Sequence, residues 1–349
     1  MMIHSNALQY VLDQYGVSAE PDQITPFGTG LINCTWKVNS ITGTYILQRI
    51  NTNVFKSPER IDHNLSLIKT YLSESNPEYI FAGPTVTLDG RISVAHNDEV
   101  YRVQPFISGS YTLDSVTSAG QAYQAAKQFA KFSRLLKDLK TDNFAYPLEN
   151  FHNLDLRVTQ FNKALENAQE ERITLATSEI HKVKNYMDIA FRYNQIVEEK
   201  LIPLRIIHHD TKISNVLFDH NDNGLCVIDL DTVMPGFFIS DVGDMMRTYL
   251  SEATEEEQDF DMITVRKEVF NQICRGYLEE MGEEMTAVER ELFLYSGRFM
   301  IYMQAVRFLT DFLNGDVYYP IKYPLHNLKR AGNQIKLLQR YMDLELEFI

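Results

Sequence analysis

Cysteine is scarce. The chain of 349 residues has three, Cys34, Cys226 and Cys274, unclustered and odd in number. They read as reduced thiols of a cytoplasmic protein, each chiefly a small buried hydrophobe. Basic residues are also short: 33 Lys and Arg face 47 Asp and Glu, a net charge of −14. That argues against a nucleic-acid scaffold, which needs a basic stripe to grip phosphates. It leaves ATP open, because a metal ion and a few donors handle its charge locally. No apolar run is long enough to span a bilayer, so no membrane partner is expected. Met1 to Tyr10 has neither a basic segment nor an apolar one, which argues against a signal peptide. The ordinary balance of charged (23%) and apolar (44%) residues argues against disorder.

What is present divides unevenly. The first hundred residues are β-rich, with strands expected at Gln23–Phe27, Asn33–Asn39, Thr44–Ile50, Thr85–Leu88 and Val100–Phe106, and a turn at Ser40–Gly43. Ile61, Leu65, Ile68 and Leu72 recur at helical spacing and predict a helix over Arg60–Ser73. Gln104-Pro105-Phe106, followed by Ser108-Gly109, reads as a hinge. Beyond it helices predominate: Ala119–Leu139, Ile180–Lys200 and most of the chain from Val265. The acidic run Glu252–Asp259 reads as a solvated loop or helix start. A short β segment, Arg205–Asp231, is inset among the helices. The expectation is an α+β, two-lobed architecture of protein-kinase type. Residues 1–105 form a small antiparallel N-lobe and 106–349 a larger, mainly helical C-lobe.

The inset segment carries the chemistry. His208-His209-Asp210-Thr211-Lys212-Ile213-Ser214-Asn215 has the spacing H-x-D-x-x-x-x-N of kinase catalytic loops. Strand, turn and strand then lead to Asp229. With the hairpin loop centred between Asn221 and Asp222, Ser214 lies opposite Asp229, so Asn215 and Asp229 emerge side by side; a tighter turn at Asn223-Gly224 would separate them. The wider loop brings two oxygen ligands to one point, as Mg²⁺ requires. Asp231 is a candidate ligand for a second ion. Asp210 would accept a hydrogen bond from an attacking hydroxyl, and Lys212 would reach the transferring phosphoryl as a point charge. The bland alternative makes Asp210 and Asn215 turn residues and Asp229 a strand end. Both half-motifs in order, joined by a hairpin signal, favour function. His208 reads as a buried histidine that holds the loop by hydrogen bonds. Asp241 reads as an acceptor bracing the loop's backbone or as an N-cap, and Asp244 as structural.

Signals in the first lobe are thinner. Phe27-Gly28-Thr29-Gly30 lies between two strands, where glycines let backbone N–H groups approach phosphates, although Asn33 occupies the third glycine position of G-x-G-x-x-G. Arg49 is the basic residue expected on the third strand. An acidic partner for it on the helix is not evident, Glu59 being the one early glutamate.

These stretches resemble the aminoglycoside phosphotransferase and choline kinase superfamily, and within it the N-acetylhexosamine 1-kinase branch. The resemblance rests on Gly28–Asn33, Tyr45–Asn51, Asp210-Thr211-Lys212 with Asn215–Asp219, the branch-specific run Val227–Gly236, and, later, Phe308–Asp311 with His326-Asn327-Leu328. It implies ATP and Mg²⁺ as cofactors. Asp210 would be catalytic, Asn215 and Asp229 would hold the ion, and the backbone of Gln104–Phe106 would take the adenine. Relatives that act on sugars tend to have histidine where this chain has Leu31. The leading expectation is transfer from ATP to the anomeric hydroxyl of an N-acetylhexosamine or related sugar. The alternatives are a kinase for an aminoglycoside, an amino alcohol or another sugar hydroxyl, and a non-catalytic nucleotide-binding protein. Intact Asp210, Asn215 and Asp229 speak against the last.

Overall fold

Helix α1 (Met2–Gln14) leads into five antiparallel strands: β1 (Ile24–Pro26), β2 (Cys34–Ser40), β3 (Gly43–Ile50), β4 (Ser93–His96) and β5 (Glu99–Pro105). They are ordered β1-β2-β3-β5-β4 in this computed structural model, which describes residues 2–28 and 32–347. Side chains alternate across a strand, so the two faces can be assigned by parity. Val38, Leu47, Val94, Tyr101 and Val103 face α1, against its Leu8, Val11 and Leu12. Helix α2 (Pro58–Ser75) starts with proline in its first turn and buries Ile61, Leu65, Ile68 and Leu72 in the main core.

The turn at Ser40–Gly43 forms as expected, pairing Ser40 with Gly43. The fourth strand differs from expectation. Thr85–Leu88 stays irregular, tied by Thr85 N–H to the Val103 carbonyl and by Thr87 N–H to that of Arg91. Ser93–His96 pairs with β5 instead, through a two-residue turn in which Asn97 and Asp98 both have positive φ (51° and 61°). Asn and Asp tolerate that conformation, and the mirror-image hairpin turn demands it.

A two-residue strand β6 (Ser110–Tyr111) follows, and then the helical part: α3 (Ala119–Leu135), α4 (Leu154–Asn167), α5 (Glu170–Leu175), α6 (Thr177–Asn185) and α7 (Asp188–Glu198). The expected continuous helix over 180–200 is interrupted between α6 and α7, where Tyr302 Oη donates to the Val183 carbonyl at 3.0 Å. Strands β7 (Arg205–Ile207), β8 (Val216–Asp219), β9 (Gly224–Val227) and β10 (Met234–Gly236) come next. The chain closes with α8 (Phe238–Tyr249), α9 (Lys267–Met281), α10 (Ala287–Glu291), α11 (Phe293–Leu313) and α12 (His326–Glu345). Fifteen of the 21 residues of α11 are buried, the mark of a helix wrapped on all sides. Helix α8 approaches it so closely that a Cβ on Gly243 would lie 2.2 Å from the Ser296 carbonyl oxygen. An antiparallel sheet followed by a helical bundle gives the two-lobed α+β class expected from sequence. The acidic run 252–259 is a loop, but a tethered one: Glu255 pairs with Arg247, and Glu256 with Arg330, Lys322 and His326. Among the described residues no helix is long and apolar enough to cross a membrane.

Candidate active site

Strand β7 delivers the loop that begins at His208. Two buried carboxylates from α8 hold its backbone. Asp241 accepts from His208 N–H (2.9 Å) and His209 N–H (2.7 Å), and Asp244 accepts from Thr211 N–H (2.9 Å). His208 donates from Nε2 to the Ile228 carbonyl (2.8 Å) and accepts at Nδ1 from Asp210 N–H (3.3 Å), which fixes its tautomer. Burial pushes His208 down and His209 down to about 3, so both rings are neutral near pH 7. These contacts are the hydrogen bonding read for His208 and the bracing alternative read for Asp241, whose N-cap alternative fails because the cap is Phe237; Asp244, read only as structural, braces the same loop.

The hairpin has the wider loop. Val216 pairs with Val227 and Leu217 with Cys226, a register that sets Ser214 across from Asp229. Ile228 N–H donates to the Asn215 carbonyl (2.8 Å), so Asn215 and Asp229 emerge together. The Asn215 amide nitrogen donates to the Asp210 carbonyl (2.9 Å), leaving its oxygen as the available donor to an ion. Asp229 sits in the left-handed region (φ 58°). Burial, then the neighbouring Asp231 and Asp210 carboxylates, raise it to about 7, against the pull of Arg102 and Lys212. Crowded oxygen donors carrying excess negative charge suit Mg²⁺. Among the described residues no three His, Cys, Asp or Glu side chains could enclose a metal alone. Half-buried Asp210 faces the same region, with the exposed Lys212 Nζ 3.2 Å from its Oδ1.

Asp231 is differently placed from a free ligand. One oxygen pairs with Arg102 of β5 and the other accepts from Asn33 Nδ2 (2.8 Å). Asn33 thereby joins the chain just past the glycine loop to the segment that carries Asp229 and Asp231. Gly28 has φ 78°, as a tight loop requires, whereas Gly30 and Leu31 lie outside the described residues.

The structure does not bring Arg49 to this group. It shares a sheet face with Leu47, where it pairs with Glu99 and donates to Cys34 Sγ. Gln48 occupies the cleft face of β3, level with Arg102. At the hinge, Phe106 N–H is taken by the Thr44 carbonyl (3.0 Å), and Gln104 pairs with Ile46. Lys37 Nζ lies 4.1 Å from the Phe106 ring centroid, and Phe27 meets that ring edge-on at 5.9 Å.

A second wall adjoins His209, the residue before Asp210, and sequence reading missed it. The His152 ring stacks on Phe151 (4.4 Å) and lies 5.4 Å from that of His209. The Arg307 guanidinium lies within 6.0 Å of the Phe151, Tyr318 and Tyr319 rings. His152 Nδ1, His209 Nδ1 and Arg157 Nε are buried without hydrogen-bond partners among the described residues. Burial, then His209 and the charges of Arg307, Arg247 and Arg157, hold His152 well below its ordinary pKa. The loop 314–325 is fixed over this wall by Asp311, which accepts from the N–H groups of Val317, Tyr318 and Tyr319 (3.0, 2.8 and 2.9 Å). Asn327 supports Asp311 from α12.

A family model described as the phosphotransferase enzyme family, APH, matches residues 23–278. The fold is similar to that of a spectinomycin phosphotransferase solved with ADP and spectinomycin (TM-score 0.64, 14% identity, 98% of each chain covered). It is also similar to that of a microcompartment-associated aminopropanol kinase (0.65, 15%, 99% of this chain and 98% of that one). A choline/ethanolamine kinase family protein from Mesorhizobium loti matches too (0.58, 13%, 98% and 95%).

Proposed function

This chain belongs to the phosphotransferase enzyme family, and we propose that it transfers the γ-phosphoryl of ATP to the anomeric hydroxyl of an N-acetylhexosamine or related sugar. Residues 1–105 would hold the nucleotide under the loop at Gly28–Asn33 and beside the hinge at Gln104–Phe106. Residues 106–349 would hold the acceptor. Asn215 and Asp229 would bind Mg²⁺, which when present neutralises charge on the phosphates. Asp210 receives the acceptor's hydroxyl proton as the new O–P bond forms and the bond to the β-phosphate oxygen breaks, releasing ADP. An anomeric hydroxyl is more acidic than an ordinary alcohol, so a carboxylate suffices as base. Lys212, beside Asp210, would steady the transferring phosphoryl.

One observation favours this acceptor: the wall beside His209 is aromatic and cationic. Arg157 and Arg307 supply its charge, Arg247 behind them being paired with Asp244 and Glu255, and His152 and His209 are neutral. A polycationic aminoglycoside or a quaternary amine would meet guanidinium groups there. A neutral polyol ring would meet aromatic faces for its C–H surface and fixed donors for its oxygens. The test is a panel of sugars and amino alcohols with ATP, followed by ³¹P NMR. The product signal should be split by an anomeric proton. Turnover of amino alcohols or aminoglycosides but of no sugar would refute the reading.

A further inference from the structure

Arg102 is a cation in the cleft that the nucleotide reading above leaves unused. Its guanidinium is 2% exposed. Nε and Nη2 both donate to Gln48 Oε1 (3.1 and 2.8 Å), while Nη1 pairs with Asp231. Burial opposes its charge, yet Asp231, Asp229 and Asp62 outweigh that and raise its pKa. Asp62 is the acidic residue of α2 on this side. Its Oδ2 accepts from Ser93 Oγ, and its Oδ1 is buried with no hydrogen-bond partner among the described residues. Helix α2 cannot drift from the metal loop cheaply. The buried Asn64 Nδ2 donates to the carbonyls of Ala145 and Val233, each at 2.9 Å.

In protein kinases the corresponding cation stands on the third strand and pairs with an acid on the helix behind it. Here β3 supplies a neutral amide, Gln48, and the charge has moved one strand over. We propose that Arg102 is a positioning residue that, with Asn33, clamps Asp231 and so ties the sheet to the segment 229–231. Asp231 is then a strut and not an ion ligand. Asn33 makes the clamp two-sided, because its Oδ1 is itself held by Asn51 N–H at 3.0 Å. Loss of the clamp frees the metal loop, so it weakens nucleotide binding where Mg²⁺ takes part and spares metal-free binding.

The proposal rests on the Mg²⁺–nucleotide reading of Asn215 and Asp229, and its test separates the two. Binding of a fluorescent ATP analogue is titrated with and without Mg²⁺, and melting is recorded for each variant. Arg102→Gln should raise the Mg²⁺ concentration for half-maximal binding about tenfold, the size of one lost charged hydrogen bond. Affinity without Mg²⁺ should change little. The exchange Gln48→Arg with Arg102→Gln, which returns the charge from β3, should recover most of the loss. If Arg102→Gln does not fold, Asp231→Asn, which keeps the shape and removes the charge, should show the same shift. An unchanged Mg²⁺ requirement in either folded variant overturns the proposal, and so does an equal loss with and without metal. Asp229→Ala is the control: if it retains Mg²⁺-dependent binding, the metal reading itself fails.

Discussion

Asp241→Asn perturbs the brace of the catalytic loop without touching the reacting groups. The carboxylate accepts two buried backbone N–H bonds, at 2.9 and 2.7 Å. Asparagine keeps one acceptor and turns an NH₂ group toward the other N–H. Each hydrogen bond to a charged group is worth about 1.5–3 kcal/mol, and an orphaned buried donor costs a similar amount. Against that, burial raises the Asp241 pKa to about 7, which shows that the ionised form is itself costly here. The substitution removes that cost, so the net loss should be about 1–3 kcal/mol. At roughly 2 °C per kcal/mol for a long chain, Tm should fall by roughly 2–6 °C. The rate constant kcat should fall with it, because Asp210 follows directly on the two braced residues. The sign of the pH dependence is fixed as well. A carboxyl whose folded pKa lies above its unfolded value of about 3.9 keeps its proton in the folded state while the unfolded chain releases it. Its contribution is full below about pH 4 and lost as pH rises through about 7. The Tm gap between wild type and Asp241→Asn should therefore be wider at about pH 5.5 than at about pH 8. Thermal melts at both pH values with matched kcat measurements check this. An unchanged Tm and kcat, or a gap that widens with pH, would refute the reasoning.

Two further substitutions test the faces of the site. Arg307→Ala should raise the acceptor KM by about tenfold or more while leaving the KM for ATP nearly unchanged, since its guanidinium lies among the Phe151, Tyr318 and Tyr319 rings; an effect on ATP alone would show that this wall does not hold the acceptor. Arg49→Ala should leave nucleotide affinity within about twofold, its ion pair with Glu99 being partly exposed and worth little; steady-state kinetics would reveal a large rise in the KM for ATP if that placement fails.

Legibility followed the range of the interactions. The hairpin from Asn215 to Asp229 could be read because its register depends on local turn chemistry, and Asp219–Asn223 closes it with Asp219 accepting from Asn221, Asn223 and the Asn223 amide. The brace from Asp241 was readable as a chemical role, though not as two specific bonds. Strand parity was the point lost on β3: Leu47 and Arg49 share the α1 face, and nothing in Tyr45–Ile50 alone says which face meets the cleft. A signal did exist for Arg102, a charge in the middle of the apolar run Val100–Val103. Helix α1 likewise carried Leu8, Val11 and Leu12 at helical spacing, with Tyr15 just past its end, all buried. The second wall had no such signal. Phe151, His152, Arg157, Arg307 and Tyr319 come from three separate stretches of chain, and only tertiary packing joins them.

Asp210→Asn tests the central claim most directly. Asparagine keeps the size and one oxygen but removes both charge and base. General-base contributions are about 10²–10⁴-fold, so kcat should fall by that factor. Nucleotide affinity should be nearly unchanged and Tm close to wild type, because the loop is held through backbone contacts to Asp241 and Asp244 and not through the Asp210 side chain. A folded Asp210→Asn protein that turns over at close to the wild-type rate would contradict the assignment of this loop as the centre of phosphoryl transfer.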